Sequence, residues 1–229
     1  MTAPDGGGGA IFTLDGGTIS QGTVNGGALT FGTAGGSTLN GVTMSGSFSV
    51  PTSGSFTAEN GTNFTGGTTT FADSYILLKG TGTALVNTAL NTLTGNVTVQ
   101  ANAANLTFVN NGTFTSTAST NYIYGAGNSG FHFTNTGTVS ATAGNLYVGN
   151  GATDTVANNS GGTILANGGN VVVGNTSGTV ANAGTLKANT GSTLTLGTGT
   201  TTWTNTGTIT AAGGTVNLGG NFTTANLST

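Results

Sequence analysis

The 229-residue chain has no cysteine and no arginine, two prolines, one histidine and one tryptophan, and only 3% of it is Asp, Glu, Lys or Arg. Without cysteine there is no disulfide framework and no thiolate metal site. The only basic side chains are Lys79 and Lys187, and the formal net charge is -3. Such a chain cannot grip a phosphate backbone, which needs many cationic contacts. It cannot form a basic helix lying on a membrane surface either. A single histidine, His132, rules out a His-pair metal motif. No run of about eighteen apolar residues exists to span a membrane as a helix. Thr (about fifty copies), Asn (about twenty-seven) and 44 Gly dominate instead. All three are weak helix formers, so an α-rich fold is excluded.

Composition this rich in glycine is common in disordered chains. The hydrophobic fraction of 34% and mean hydropathy of +0.10 argue for a packed core, and the apolar residues recur at a fixed interval. The segments Leu85-Val86-Asn87, Phe108-Val109-Asn110, Phe133-Thr134-Asn135, Val156-Ala157-Asn158, Val180-Ala181-Asn182 and Trp203-Thr204-Asn205 place their Asn residues 23, 25, 23, 24 and 23 apart. All but the first are followed by a Gly-Thr step and one apolar residue. A third patch closes each unit: Val97-Thr98-Val99, Tyr122-Ile123-Tyr124, Leu146-Tyr147-Val148, Val171-Val172-Val173, Leu194-Thr195-Leu196 and Val216-Asn217-Leu218. Within each patch the outer positions are apolar and the middle one varies, a period of two with the middle residue outward. The repeat predicts an all-β fold: a single-stranded parallel β-solenoid, or β-helix, with about three short strands per coil of ~23 residues. One coil cannot bury its apolar face alone, and stacking makes a continuous core. Gly and Asn at the corners tolerate positive φ. The column Asn87, Asn110, Asn135, Asn158, Asn182 and Asn205 is predicted to stack as a structural amide ladder about 4.8 Å per step; the alternative is six left-handed turn residues.

Three zones follow. Residues 1–15 form a Gly-rich flexible lead-in, with neither the charged nor the apolar region of a signal peptide. Residues 16–79 form less regular coils with a spacing nearer 19 or 20, with a loop or a slightly broken coil at Pro51 and Thr52 to Thr62. Residues 80–229 form the regular coils. Ten or so coils predict a rod of roughly 50 Å. No polar cap is evident at either end, and open strand edges invite pairing. The sequence therefore predicts a fragment or processed form, or homotypic end-to-end or lateral self-association.

The run Thr38-Leu39-Asn40-Gly41-Val42-Thr43-Met44-Ser45-Gly46-Ser47-Phe48-Ser49-Val50-Pro51 resembles the opening module of large bacterial β-strand-repeat surface proteins. Units such as Asn135-Thr136-Gly137-Thr138-Val139 are similar to the same group, and to the β-helical passengers of autotransporters and haemagglutinin-type adhesins. The resemblance implies export and a role as stalk, surface layer or adhesin.

Chemistry-bearing residues are sparse. His132, between Phe131 and Phe133, is expected to face outward. Glu59 and Asp73, with Lys79, form the sole candidate for a paired carboxylate site of a carbohydrate-active enzyme. Gly149-Asn150-Gly151-Ala152-Thr153-Asp154 is the nearest approach to a repeat-type Ca²⁺ turn, and it does not recur. No catalytic residue, metal or cofactor is expected. Trp203 aligns with Phe108 and Phe133 and is expected in the core. Ile123, Tyr147 and Val172 are expected to form a small exposed strip that contacts a partner or a glycan. Thr68-Thr69-Thr70 and Thr193-Leu194-Thr195 raise an ice-binding reading, weakened because no outward Thr pair recurs in every coil. The leading expectation is a structural extracellular scaffold, followed by a glycan-binding adhesin module.

Overall fold

A computed structural model describes residues 12–127 and 129–227. It is a parallel β-solenoid of about 9 turns of ~23 residues, 60% strand, with two short 3₁₀ turns at Gly26–Ala28 and Thr224–Leu227. No helix among the described residues is long and apolar enough to cross a membrane. Among the described residues the full turns begin at Thr23, Thr43, Thr62, Gly82, Leu106, His132, Thr155, Thr179 and Thr202. Each turn lays down three faces, and faces of successive turns pair in parallel, except that among the described residues Leu29–Phe31 pairs with Phe12–Leu14 and not with Phe48–Val50.

Register shows how the turns grow. Thr23 pairs with Thr43, and Thr43 with Asn63, 20 residues apart. Asn63 then pairs with Val86, a step of 23. The extra residues enter in the turn that starts at Thr62. There Gly67–Lys79 crosses the second and third faces as one bent strand, and Asn91–Ala101 repeats this in the next turn. At the bend Asp73 takes φ 64 and adds one residue against its neighbour.

Alternation places the core. On the first face Leu85, Phe108, Phe133, Val156, Val180 and Trp203 stack in register. On the second, Leu93, Phe114, Val139, Ile164 and Leu186 do so. All are buried. Phe31, Phe48, Phe56 and Phe64 fill the smaller N-terminal turns, with ring centroids 4.8–5.9 Å apart. Trp203 is 1% exposed, donates its indole N–H to the Gly219 carbonyl at 2.8 Å and stacks on Phe222.

Three sequence expectations shift. The lead-in does not run to residue 15: Phe12–Leu14 is a strand paired with Leu29–Phe31, while residues 1–11 lie outside the described part. Of the two alternatives for Pro51 and Thr52 to Thr62, a loop or a slightly broken coil, the second holds, and the loop is confined to the start. Ser55–Glu59 is a strand held between Ser37–Asn40 and the end of Gly67–Lys79, because Phe56 and Ala58 supply inward side chains. Tyr122-Ile123-Tyr124 sits one residue out of the expected phase. Ile123 is buried between Val99 and Val148, while Tyr122 and Tyr124 point outward. The branched aliphatic fills the dry column, and the phenol hydroxyls stay wet, because a buried hydroxyl needs a partner. Gly125 consequently aligns with Ala101 and not with Gly149.

Candidate functional site

The six aligned asparagines end the first-face strands and turn into the interior, 0–6% exposed. None has positive φ, so they are not left-handed turn residues. The Asn87 Nδ2 donates to Asn110 Oδ1 at 2.7 Å, Asn110 to Asn135 at 2.8 Å, Asn135 to Asn158 at 2.8 Å, Asn158 to Asn182 at 2.7 Å and Asn182 to Asn205 at 2.6 Å. Asn91 Nδ2 donates to Asn87 Oδ1 and completes the row. The second amide hydrogens reach corner carbonyls, as from Asn135 to Gly137 at 3.2 Å. An amide carries both donor and acceptor, so one residue type pairs with itself along the axis.

The glycines beside this ladder are needed for proximity. A Cβ at Gly137 would lie 2.0 Å from the Gly112 carbonyl oxygen, and one at Gly207 2.1 Å from that of Gly184. Neither is among the positive-φ glycines, so the expected left-handed bend is absent at these two positions, although Gly161 at the same corner of another turn takes φ 87. It is present at the third corner, where Gly149, Gly174 and Gly197 take φ of 71–72°.

The second face carries a feature that the sequence reading missed. Thr68, Thr92, Thr113, Thr138, Thr163, Thr185 and Thr208 form one outward column through seven consecutive turns. Two residues on, the parallel column reads Thr70, Thr94, Thr115, Ser140, Leu165, Lys187 and Thr210. The signal was the Gly-Thr step after every ladder asparagine but the first.

On the third face the outward column is Tyr75, Thr98, Tyr122, Tyr147, Val172 and Thr195. Tyr147 and Val172 are adjacent and half-buried, whereas Ile123 is in the core and does not belong to the strip. All four tyrosines of the chain lie on this face. The rings of Tyr122 and Tyr147 stack at 5.1 Å and 17°, and Tyr124 leans on Tyr122 at 5.7 Å. Burial, with Tyr75 and Tyr122 nearby, raises the Tyr124 phenol above its usual range. Stacking along the axis turns the faces of Tyr122 and Tyr147 toward each other, leaving ring edges to solvent. A sugar stacks on a ring face, and of these tyrosines Tyr75 is the most open, at 47% exposure.

Glu59 and Asp73 do not meet. Asp73 stands at the bend entering the third face and accepts from Asn96 Nδ2 at 3.1 Å. Glu59 lies at the far end of that face, in register with Lys79, a strand length of roughly 15 Å away. Among the described residues no three His, Asp or Glu converge as metal ligands. His132 is half-buried on the first face, between Thr107 and Thr155. Asp154, at the third corner, is 2% exposed. Its Oδ2 accepts from the Gly125 N–H at 3.0 Å and the Gly151 N–H at 2.7 Å. Burial raises this carboxyl above its ordinary range, against the pull of those two N–H groups and of His132.

No protein-family model matches the chain, no curated protein matches it, and no solved structure matches it.

Proposed function

We propose that the protein is a rigid β-solenoid segment of an extracellular, cell-surface scaffold: a spacer, surface layer or filament of the adhesin type. The observation that carries the reading is the continuous amide ladder. It locks six successive turns with identical residues and no change of register, which makes the stack a stiff rod. About nine turns at ~4.8 Å per turn give a rod of roughly 40 Å. The inward row of the last described turn, with Ile209 and Val216 only partly covered, suits the stacking of a further turn from a second copy. Negative-stain microscopy with light scattering tests this: rods that lengthen with concentration are expected. A globular particle overturns the scaffold reading, and a monomeric rod at all concentrations overturns self-association.

The threonine columns favour a second reading, an ice-binding face. Hydroxyls repeat about every 4.8 Å along the axis and about 7 Å along the strand, a two-dimensional order suited to organising water. Leu165 and Lys187 interrupt the second column. Thermal hysteresis abolished by Thr113→Tyr supports this reading, and its absence in the wild type removes it. The adhesin version, a glycan held by Tyr147 and its Thr and Asn neighbours, is tested by a glycan array with Tyr147→Ala.

A further inference from the structure

Asp154 is a buried acid that the ladder and the outward faces leave unexplained. Its inward column contains Phe131 one turn before and Gly178 one turn after, fixed by the flanking pairs His132–Thr155 and Thr155–Thr179. It touches three turns. The Gly125 N–H bonds its Oδ2, Gly151 bonds it within its own loop, and its main-chain carbonyl accepts from the Thr179 N–H at 2.9 Å. Both side-chain donors therefore go to one oxygen. The other, Oδ1, is buried with no hydrogen-bond partner, and so is the Ser129 hydroxyl.

Two oxygens and the Phe131 Cβ lie in the neighbourhood of Oδ1. A Cβ at Gly125 would lie 2.2 Å from Ser129 Oγ and 2.7 Å from Asp154 Oδ1. One at Gly151 would lie 2.5 Å from both Asp154 Oδ1 and the Gly125 carbonyl oxygen. Ser129 Oγ and Gly125 O are thus each within about 5 Å of Oδ1, by the triangles these distances close. An ionised Oδ1 buried without a hydrogen-bond partner is unfavourable. A protonated one is a donor with these two acceptor oxygens within about 5 Å of it.

We propose that Asp154 is a proton-operated pin: with a proton on Oδ1 it donates to Ser129 Oγ or Gly125 O and ties three turns together at the third corner, and on losing that proton it loosens the corner. Among the described residues the other titratable groups facing it are His132, on the first-face strand beside it, and the phenol of Tyr124, on the third-face strand of the preceding turn.

The direction of the pH effect follows from linkage. A carboxyl that holds its proton more tightly in the fold contributes stability present in full below the ordinary carboxylate range and lost as pH rises to the folded midpoint. The test is a ¹³C titration of the Asp154 carboxyl in the intact chain, with hydrogen exchange at the Gly125 and Gly151 amides. The midpoint is expected above the ordinary 3.8. Between 3.8 and that midpoint, protection is expected to fall tenfold per pH unit beyond the intrinsic rate, then level off. Asp154→Asn places an amide N–H where the proton would be, and is expected to abolish this dependence and to protect the corner more than the wild type at pH 7. A midpoint at or below 3.8, the result if a buried water serves an ionised Asp154, overturns the proposal. So does an unchanged pH slope in Asp154→Asn.

Discussion

Replacing Asn135 by alanine tests whether the ladder bears on stability. Asn135 is 0% exposed, donates to Asn158 Oδ1 and accepts from Asn110 Nδ2, each at 2.8 Å, and makes longer bonds to the carbonyls of Gly137 and Thr163. Asn110 Nδ2 keeps Gly112 and Thr138 as acceptors after the change, but Asn158 Oδ1 loses its partner. The two short bonds are worth about 1 kcal/mol each, and the orphaned buried acceptor adds roughly 1–3 kcal/mol. The expected loss is about 3–5 kcal/mol. Asn205→Ala is the internal comparison. It breaks the bond from Asn182 and one to Gly207, yet Asn182 Nδ2 keeps its two carbonyls and no group is stranded, so about 1–2 kcal/mol is expected. Stacked repeats need not unfold in one step, so exchange of the Asn159 amide, bonded to the Asn135 carbonyl, is the sharper readout. It should quicken by roughly two to three orders of magnitude for Asn135→Ala. Adding Asn158→Ala should cost less than the sum of the single changes, because the stranded acceptor goes with it. Equal losses for Asn135→Ala and Asn205→Ala, or an interior loss under about 0.5 kcal/mol, would refute the reasoning.

Three further outcomes are expected. Ile123→Asp should abolish folding or lower the melting temperature far more than Tyr122→Asp, since Ile123 is fully buried and Tyr122 stands outward; circular-dichroism melts decide, and the reverse order would restore the phase read from sequence. Val173→Asp should likewise disrupt the stack while the half-buried Val172 tolerates aspartate, because a buried unpaired charge is strongly unfavourable. Gly144→Ala sets a Cβ 2.0 Å from the Ser119 carbonyl oxygen and should cost several times the ~1 kcal/mol of left-handed strain expected at Gly191, where no atom lies within 4 Å; denaturant midpoints of the two variants make the comparison.

The parts of the fold visible in the sequence are those that repeat. A residue type that recurs every two dozen positions stacks on itself, so the first-face cores and the asparagine column could be aligned without coordinates. Errors arose where a single turn departs from its neighbours. Tyr122-Ile123-Tyr124 is apolar at all three positions, so alternation alone does not set its phase. Asn121, buried at 1%, begins the inward set one residue early and was the clue. Ser55–Glu59 was hidden behind Pro51 and Gly54, although Phe56 and Ala58 alternate as a strand requires. The threonine column escaped for another reason: Thr suits any outward strand position, so its recurrence at one fixed place is not distinctive in a chain so rich in it.

The ladder and the lone acid express one rule of parallel in-register stacking. Every inward side chain meets the residue at the same position one turn before and one turn after. An aliphatic group meets its like without penalty. An amide also does so, because its N–H and C=O face opposite ways along the axis, and six consecutive asparagines satisfy one another. A carboxylate has acceptors alone, and a column of aspartates would accumulate unpaired charge at each step. A buried acid in such a fold must therefore stand singly. Asp154 does: Phe131 and Gly178 flank it along the axis, and the partners of its Oδ2 are main-chain N–H groups of glycines at the corner. Asparagine in a solenoid interior is thus a means of repetition, and aspartate marks a place where the repeat has been interrupted.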